Sequence, residues 1–223
     1  LEKILKRGAE AVLSLTTWTH ALYSGSRKAL VIKHRVPKRY RLRQIDQHLR
    51  CSRTVLEAKL LIDARRSGVP TPMVFEIDKS SARLVMEYVG GCQVKQVLKR
   101  ASARKIEKIC REIGRLVARL HRSGIVHGDL TTSNMILSRE GKIYFVDFGL
   151  GEYNSSVEAR AVDLHLFRRA MESVHFDVFE RAYSHFLRGY REEFGARAEE
   201  IIKRAEEIQR RGRYVRKEDR VWH

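Results

Sequence analysis

At 223 residues the chain is long enough to bury a core without disulfides. Hydrophobic residues at 43% and charged residues at 32% exclude wholesale disorder, and no apolar run is long enough to span a bilayer. The charge is lopsided, with 45 Lys and Arg against 27 acids and a net charge of +18, which points to a polyanionic partner, nucleic acid ahead of a membrane surface.

The first 35 residues read as β-structure. Ile4-Leu5 start one strand, Val12, Leu13, Leu15 and Trp18 mark a second, and Ser24-Gly25-Ser26 is a turn signal. Ala29 to Lys33 is a third apolar strand ending on a lysine. Residues 27–53 then carry ten Lys and Arg against one acid, Asp46. Leu56, Leu60 and Leu61 recur at helical spacing until Ser67-Gly68-Val69-Pro70 stops the helix. Met73–Ile77 and Arg83–Glu87 read as a hairpin around Asp78 to Ser81, and Gly90-Gly91 as a lobe boundary. Helices dominate from there. Ile106, Ile109, Ile113, Leu116, Val117 and Leu120 form a core stripe that Gly124 ends. Met135–Leu137 and Ile143–Val146 flank a turn at Glu140-Gly141, and residues 158–174, 177–194 and 196–211 read as three more helices.

Strands with one helix, then helices with one hairpin, predict an α+β fold in two lobes. Residues 1–89 are expected to form a β-rich N-lobe and 90–211 a helical C-lobe, with 212–223 a basic tail. Cys51, Cys92 and Cys110 show no C-x-x-C pair, which predicts reduced, buried thiols. The charged start of the chain is not a signal peptide, so a cytoplasmic location is expected.

The chemistry lies in His127-Gly128-Asp129-Leu130-Thr131-Thr132-Ser133-Asn134 and in Asp147-Phe148-Gly149. This is the protein-kinase pattern of a catalytic-loop Asp, an Asn five residues on, and a metal-binding Asp-Phe-Gly. Phosphoryl transfer needs a carboxylate beside the incoming hydroxyl or water, here Asp129. It also needs oxygen ligands, here Asn134 and Asp147, that hold magnesium against the phosphates of ATP. At roughly one in twenty per position, the six fixed residues are not a chance match.

Lys33 ends its strand where the phosphate-binding lysine of kinases does, and Glu57, on the only helix of the first lobe, is expected to pair with it. Gly8, Ala9 and Glu10 sit between the first two strands, where a phosphate-covering loop belongs. Glu10 would repel phosphates there unless it faces a cation or turns away. Glu87 and Val89 belong to the connector that offers backbone groups to adenine, and Met86 would line the rear of the ATP pocket. His127 reads as a packed structural histidine.

Gly8-Ala9-Glu10-Ala11, Val31 through Arg41, Arg53 through Ala58, Gly68 through Pro72, His127 through Asn134 and Ala161-Val162-Asp163-Leu164 together resemble one family. It is the small atypical Ser/Thr kinase/ATPase subunit of the KEOPS complex, the PRPK-like family, and the likeness runs from residue 8 to about 175. The resemblance implies a bilobal protein-kinase-like fold using ATP and Mg2+. It implies work beside a threonylcarbamoyl-transferring subunit and a small regulatory subunit on the threonylcarbamoyladenosine of tRNA. On that reading Lys38, Arg39, Arg41, Arg210, Arg211 and Arg213 are expected to contact tRNA.

The pattern departs from ordinary protein kinases. Gly128 stands where an arginine is expected, no Ala-Pro-Glu follows Asp147, and the chain after Gly149 is short. A phosphorylation-controlled activation loop and a broad peptide platform are not expected. A stand-alone kinase of the RIO type, a small-molecule phosphotransferase and a catalytically dead scaffold are the competing readings.

Overall fold

A computed structural model describes residues 3–8, 10–19 and 27–213. The expectations for Ala9, the Ser24–Ser26 turn and the tail from Tyr214 onward lie outside them, as does the Arg213 side chain. The first lobe is a five-stranded antiparallel sheet made of β1 (Lys3–Arg7), β2 (Ala11–Thr19), β3 (Arg27–Arg35), β4 (Val74–Asp78) and β5 (Arg83–Glu87). The strand order is β1-β2-β3-β5-β4, so β3 is central. The register pairs Lys33 with Leu13 on one side and Leu84 on the other. Lys33 and Arg35 are two residues apart and therefore share a face. Across that face lies α1 (Arg43–Arg66), which buries Thr54, Glu57, Ala58, Leu61 and Ala64 at intervals of three and four. Gly68, at φ +84°, closes the helix as the sequence predicts.

The β4–β5 turn is held by Asp78, which accepts from the Ser80 hydroxyl (2.6 Å) and the Ser81 N–H (3.1 Å). Beyond β5 come β6 (Gly91–Gln93), α2 (Val94–Leu98), α3 (Ala103–Arg122), β7 (Ile125–Val126), β8 (Met135–Ser138), β9 (Ile143–Phe145) and β10 (Glu152–Tyr153). Three helices follow, α4 (Val157–Val174), α5 (Phe179–Phe194) and α6 (Ala198–Arg213). The fifth helix starts two residues later than predicted because Phe176–Val178 form a 3-10 turn, and the sixth continues past 211. The fold is α+β, with a β-rich N-lobe and a reduced helical C-lobe.

The C-lobe core forms where α3 meets α5. Ile106, Ile109, Ile113, Leu116 and Leu120 face Phe179, Ala182, Tyr183, Phe186 and Tyr190. Each large side chain removed from water there contributes roughly 1.5–3 kcal/mol. The backbones come unusually close. A Cβ on Gly114 would lie 2.0 Å from the Phe186 carbonyl oxygen, and one on Gly189 would lie 1.9 Å from that of Arg111. Both glycines are therefore required by packing.

Of the three cysteines only Cys110 is buried. Cys92 is exposed because β6 is the edge of a short sheet, β6-β8-β9. Cys51 is half-buried, with its Sγ 2.7 Å from the Lys79 carbonyl. The expectation of three buried thiols is corrected accordingly.

Gly189→Ala should force α3 and α5 apart and cost about 2 kcal/mol or more, the scale of core overpacking. Urea unfolding reads this as a lower midpoint at unchanged m-value; an unchanged midpoint would contradict the close approach.

Candidate active site

Lys33 is the meeting point. Its ammonium lies 2.7 Å from Glu57 Oε1 and 2.5 Å from Asp147 Oδ1, joining β3, α1 and the loop after β9. Glu57 is buried, and its other oxygen takes a hydrogen bond from Arg35 Nη2 at 2.7 Å. Arg35 also reaches Thr54 Oγ1 at 3.4 Å. Two cations on one buried carboxylate hold α1 against the sheet. Removing either would leave a buried charge poorly matched. Burial pushes the Asp147 carboxyl up, but the Lys33 charge and hydrogen bond outweigh it and hold Asp147 below the ordinary carboxylate range. A Cβ on Gly149 would stand 3.1 Å from Asp147 Oδ1 and 3.2 Å from Arg35 Nη2, so a bare residue there lets this cluster close.

The catalytic loop follows β7 and is hung from α4. Asp163 Oδ2 accepts from the His127 N–H at 2.6 Å and Oδ1 from the Gly128 N–H at 2.8 Å. His121 Nε2 donates to Asp163 at 3.3 Å, with the Tyr190 hydroxyl 2.9 Å from His121 Nδ1, so the helical core itself supports the loop. Burial would raise the Asp163 carboxyl, but the His121 hydrogen bond and the nearby imidazoles keep it low. His127 is fully buried against Phe148, ring centres 4.5 Å apart. Burial lowers its pKa despite the pull of Asp163, Asp129 and Asp147, so it is neutral and structural.

Gly128 has φ +75°, and a Cβ there would lie 2.0 Å from the Leu150 carbonyl oxygen. An arginine cannot occupy that backbone without moving Leu150. The missing arginine noted in the sequence thus has a steric cause.

The β8–β9 hairpin sets the distance between the remaining groups. Asn134 precedes β8 and Asp147 follows β9, with Val146 N–H donating to the Asn134 carbonyl at 2.9 Å. Asn134 Nδ2 donates to Asp129 Oδ2 (2.8 Å) and to the Asp129 carbonyl (3.0 Å). That fixes the amide so that its Oδ1 remains as a ligand oxygen. Asp147 adopts φ +64°, a left-handed conformation uncommon for a residue other than glycine. Its side chain is half-exposed, leaving Oδ2 free of Lys33.

One carboxylate oxygen and one amide oxygen suit magnesium, which takes few protein ligands and completes its shell with water and phosphate oxygens. Among the described residues no group of three or more His, Cys, Asp or Glu forms a denser cage.

The other sequence-derived candidates are placed as follows. Met86 is buried on β5. The Glu87 and Tyr88 N–H groups donate to Met73 and Ala29 carbonyls, whereas the Val89 N–H has no backbone acceptor among the described residues. Gly8 N–H donates to the Ala11 carbonyl and closes the first turn. Glu10 turns to a cation, Arg53, with both carboxylate oxygens within 3.0 Å of Nη1. Arg39 is exposed, while Lys38 and Arg41 are half-buried beside Asp46. Arg210 and Arg211 are exposed on α6, in the other lobe. The basic run 27–53 is not one open surface, because Lys33 and Arg35 are buried by Glu57.

Sequence reasoning missed Arg35, Arg53 and the role of Asp163. Asp163 lay within the matched stretch Ala161–Leu164, which was the available signal. Arg35 and Arg53 likewise lay within the matched stretches Val31–Arg41 and Arg53–Ala58, but as members of a basic run neither was set apart from its neighbours.

A family model described as "Protein kinase domain" matches residues 25–172. The chain is 48% identical to "KEOPS complex subunit Bud32" of Pyrococcus abyssi, across 85% of this chain and 86% of that protein. It is 44% identical to "Probable serine/threonine-protein kinase BUD32 homolog" of Archaeoglobus fulgidus, across 75% and 80%. A "Probable bifunctional tRNA threonylcarbamoyladenosine biosynthesis protein" of Methanosarcina mazei is 39% identical over 86% of this chain, which spans only 32% of that longer protein.

Gly128→Ala should cost roughly 2 kcal/mol or more, combining the left-handed backbone penalty with the Leu150 overlap. Chemical denaturation checks it; full stability in this variant would contradict the steric account.

Proposed function

Because the chain belongs to the protein kinase family and, within it, to the Bud32 subunits of KEOPS, we propose that it is a magnesium-dependent ATPase and atypical Ser/Thr kinase supporting threonylcarbamoyladenosine modification of tRNA. The observation that carries this reading is the convergence of Lys33, Glu57 and Asp147 beside the Asp129–Asn134 pair.

Lys33, oriented by Glu57, holds phosphate oxygens of ATP. Asn134 and Asp147 would hold Mg2+, which when bound would supply positive charge to offset that of the phosphates. Asp129 orients the attacking oxygen and accepts its proton, with Asn134 fixing the carboxylate. The Glu87–Val89 connector takes the adenine edge, Met86 lies behind it, and the Gly8–Glu10 turn covers the phosphates. The cleft lies between lobes divided near residues 89 and 90. Partners on this reading are the threonylcarbamoyl-transferring subunit, a small regulatory subunit and tRNA, in the cytoplasm. Among the described residues no helix is long and apolar enough to cross a membrane.

A stand-alone RIO-like kinase is the second reading, and the relatives' names favour the first.

Asp129→Ala should lower phosphate release from ATP by about 10²–10⁴. In the wild type, tRNA together with the transferring subunit should stimulate that release. Unaltered turnover in the variant would remove Asp129 from the chemistry. Efficient phosphorylation of an added protein with no effect of tRNA would favour the RIO-like reading.

A further inference from the structure

A basic pocket lies behind the first turn and shares Arg35 with the Lys33–Asp147 cluster. Arg35, Lys38, Arg41, Arg50 and Arg53 line it together with Glu10, Val36 and Leu49, with space for about one water. Five of those eight side chains are cations. Asp46 takes Arg50 at 2.7 Å and Arg41 at 3.7 Å, Glu57 is shared between Arg35 and Lys33, and Glu10 takes Arg53. Arg35 is 3% exposed, and its Nε–H has no hydrogen-bond acceptor among the described residues. A buried, unpartnered donor in a cationic wall is a site built for an anion.

We propose that this pocket binds a backbone phosphate of a nucleic acid, and that Glu10 stands in it as the chain's own counter-ion until the phosphate displaces it from Arg53. The Glu10–Arg53 pair is the replaceable contact. Its side chains are 51% and 39% exposed, so solvent screens the pair and it holds only weakly. A phosphate reaching several of these cations outcompetes one carboxylate on one of them.

The flanking surface favours nucleic acid as the source. Exposed Arg39 and Arg43 continue the positive charge outward. Tyr40 is 77% exposed beside them, with the Arg41 guanidinium 5.3 Å from its ring centre. An exposed aromatic among cations is what stacks unpaired bases.

Displacement has a consequence for the first site. Glu10 belongs to the turn closed by Gly8 and Ala11, and Arg53 belongs to α1, which carries Glu57. Exchanging Glu10 for phosphate unties the turn from α1. The inference rests on the reading that tRNA is the polyanion served by this chain.

The test is binding of a labelled, unmodified tRNA transcript to the full chain over a salt series. Arg53→Ala should weaken binding and reduce the slope of log K against log salt by about one. Glu10→Gln should tighten binding by about threefold or more at low salt, where charge effects are largest, and this gain should vanish in the Arg53→Ala background. A gain that survives in the double variant is a general charge effect and overturns the proposal, as does unaltered affinity in Glu10→Gln. Absence of tRNA binding by the wild-type chain would overturn the proposal together with the tRNA reading. Inorganic phosphate, titrated by thermal shift, separates the sources. A phosphate-induced shift that Arg53→Ala abolishes, with tRNA binding indifferent to both substitutions, assigns the pocket to free phosphate and overturns the nucleic-acid assignment.

Discussion

A lysine ammonium removed from water needs negative partners, and Lys33 finds two of them on different parts of the chain. Glu57 comes from α1 and Asp147 from the loop after β9, so one buried charge draws the sheet, its helix and the second lobe together. Arg35 adds a second cation to Glu57 and fixes the helix where a lone lysine would leave it free to swing. Many protein kinases control the Lys–Glu pair through the position of that helix. Here the helix is pinned from within the sheet, and Gly128 stands where an arginine would meet an activating phosphate.

The catalytic loop is supported just as internally. Asp163 grips the two N–H groups before Asp129, and its other partner, His121, leans on Tyr190 in the α3–α5 core. Packing at Gly114 and Gly189 is therefore linked physically to the placement of Asp129. The β8–β9 hairpin then spaces Asn134 from Asp147, and the left-handed backbone of Asp147 aims its carboxylate at Lys33.

Much of this was legible in the sequence because its signals are local. Helical spacing in α3 and the glycines that close α1 and α3 lie within short windows, and the structure follows them; the His127–Asn134 and Asp147–Gly149 stretches are equally local. Lys33 and Glu57 were legible because a strand end and a single helix left few other places for them. The missed contacts are long-range. Arg35 and Arg53 look like two more members of a basic run until folding sets one against Glu57 and the other against Glu10. Composition suggested that cysteines hide, yet Cys92 sits on an edge strand, a consequence of sheet order that no window of sequence contains.

The central claim is that Lys33, Asp147 and Asn134 form one site for ATP and magnesium. The direct measurement is calorimetric titration of ATP into wild type and Asp147→Asn over a range of magnesium concentrations. The account predicts wild-type binding that tightens with magnesium and a variant that has lost most of this dependence, because its ligand carboxylate is gone. Equal magnesium dependence in the two proteins would contradict it.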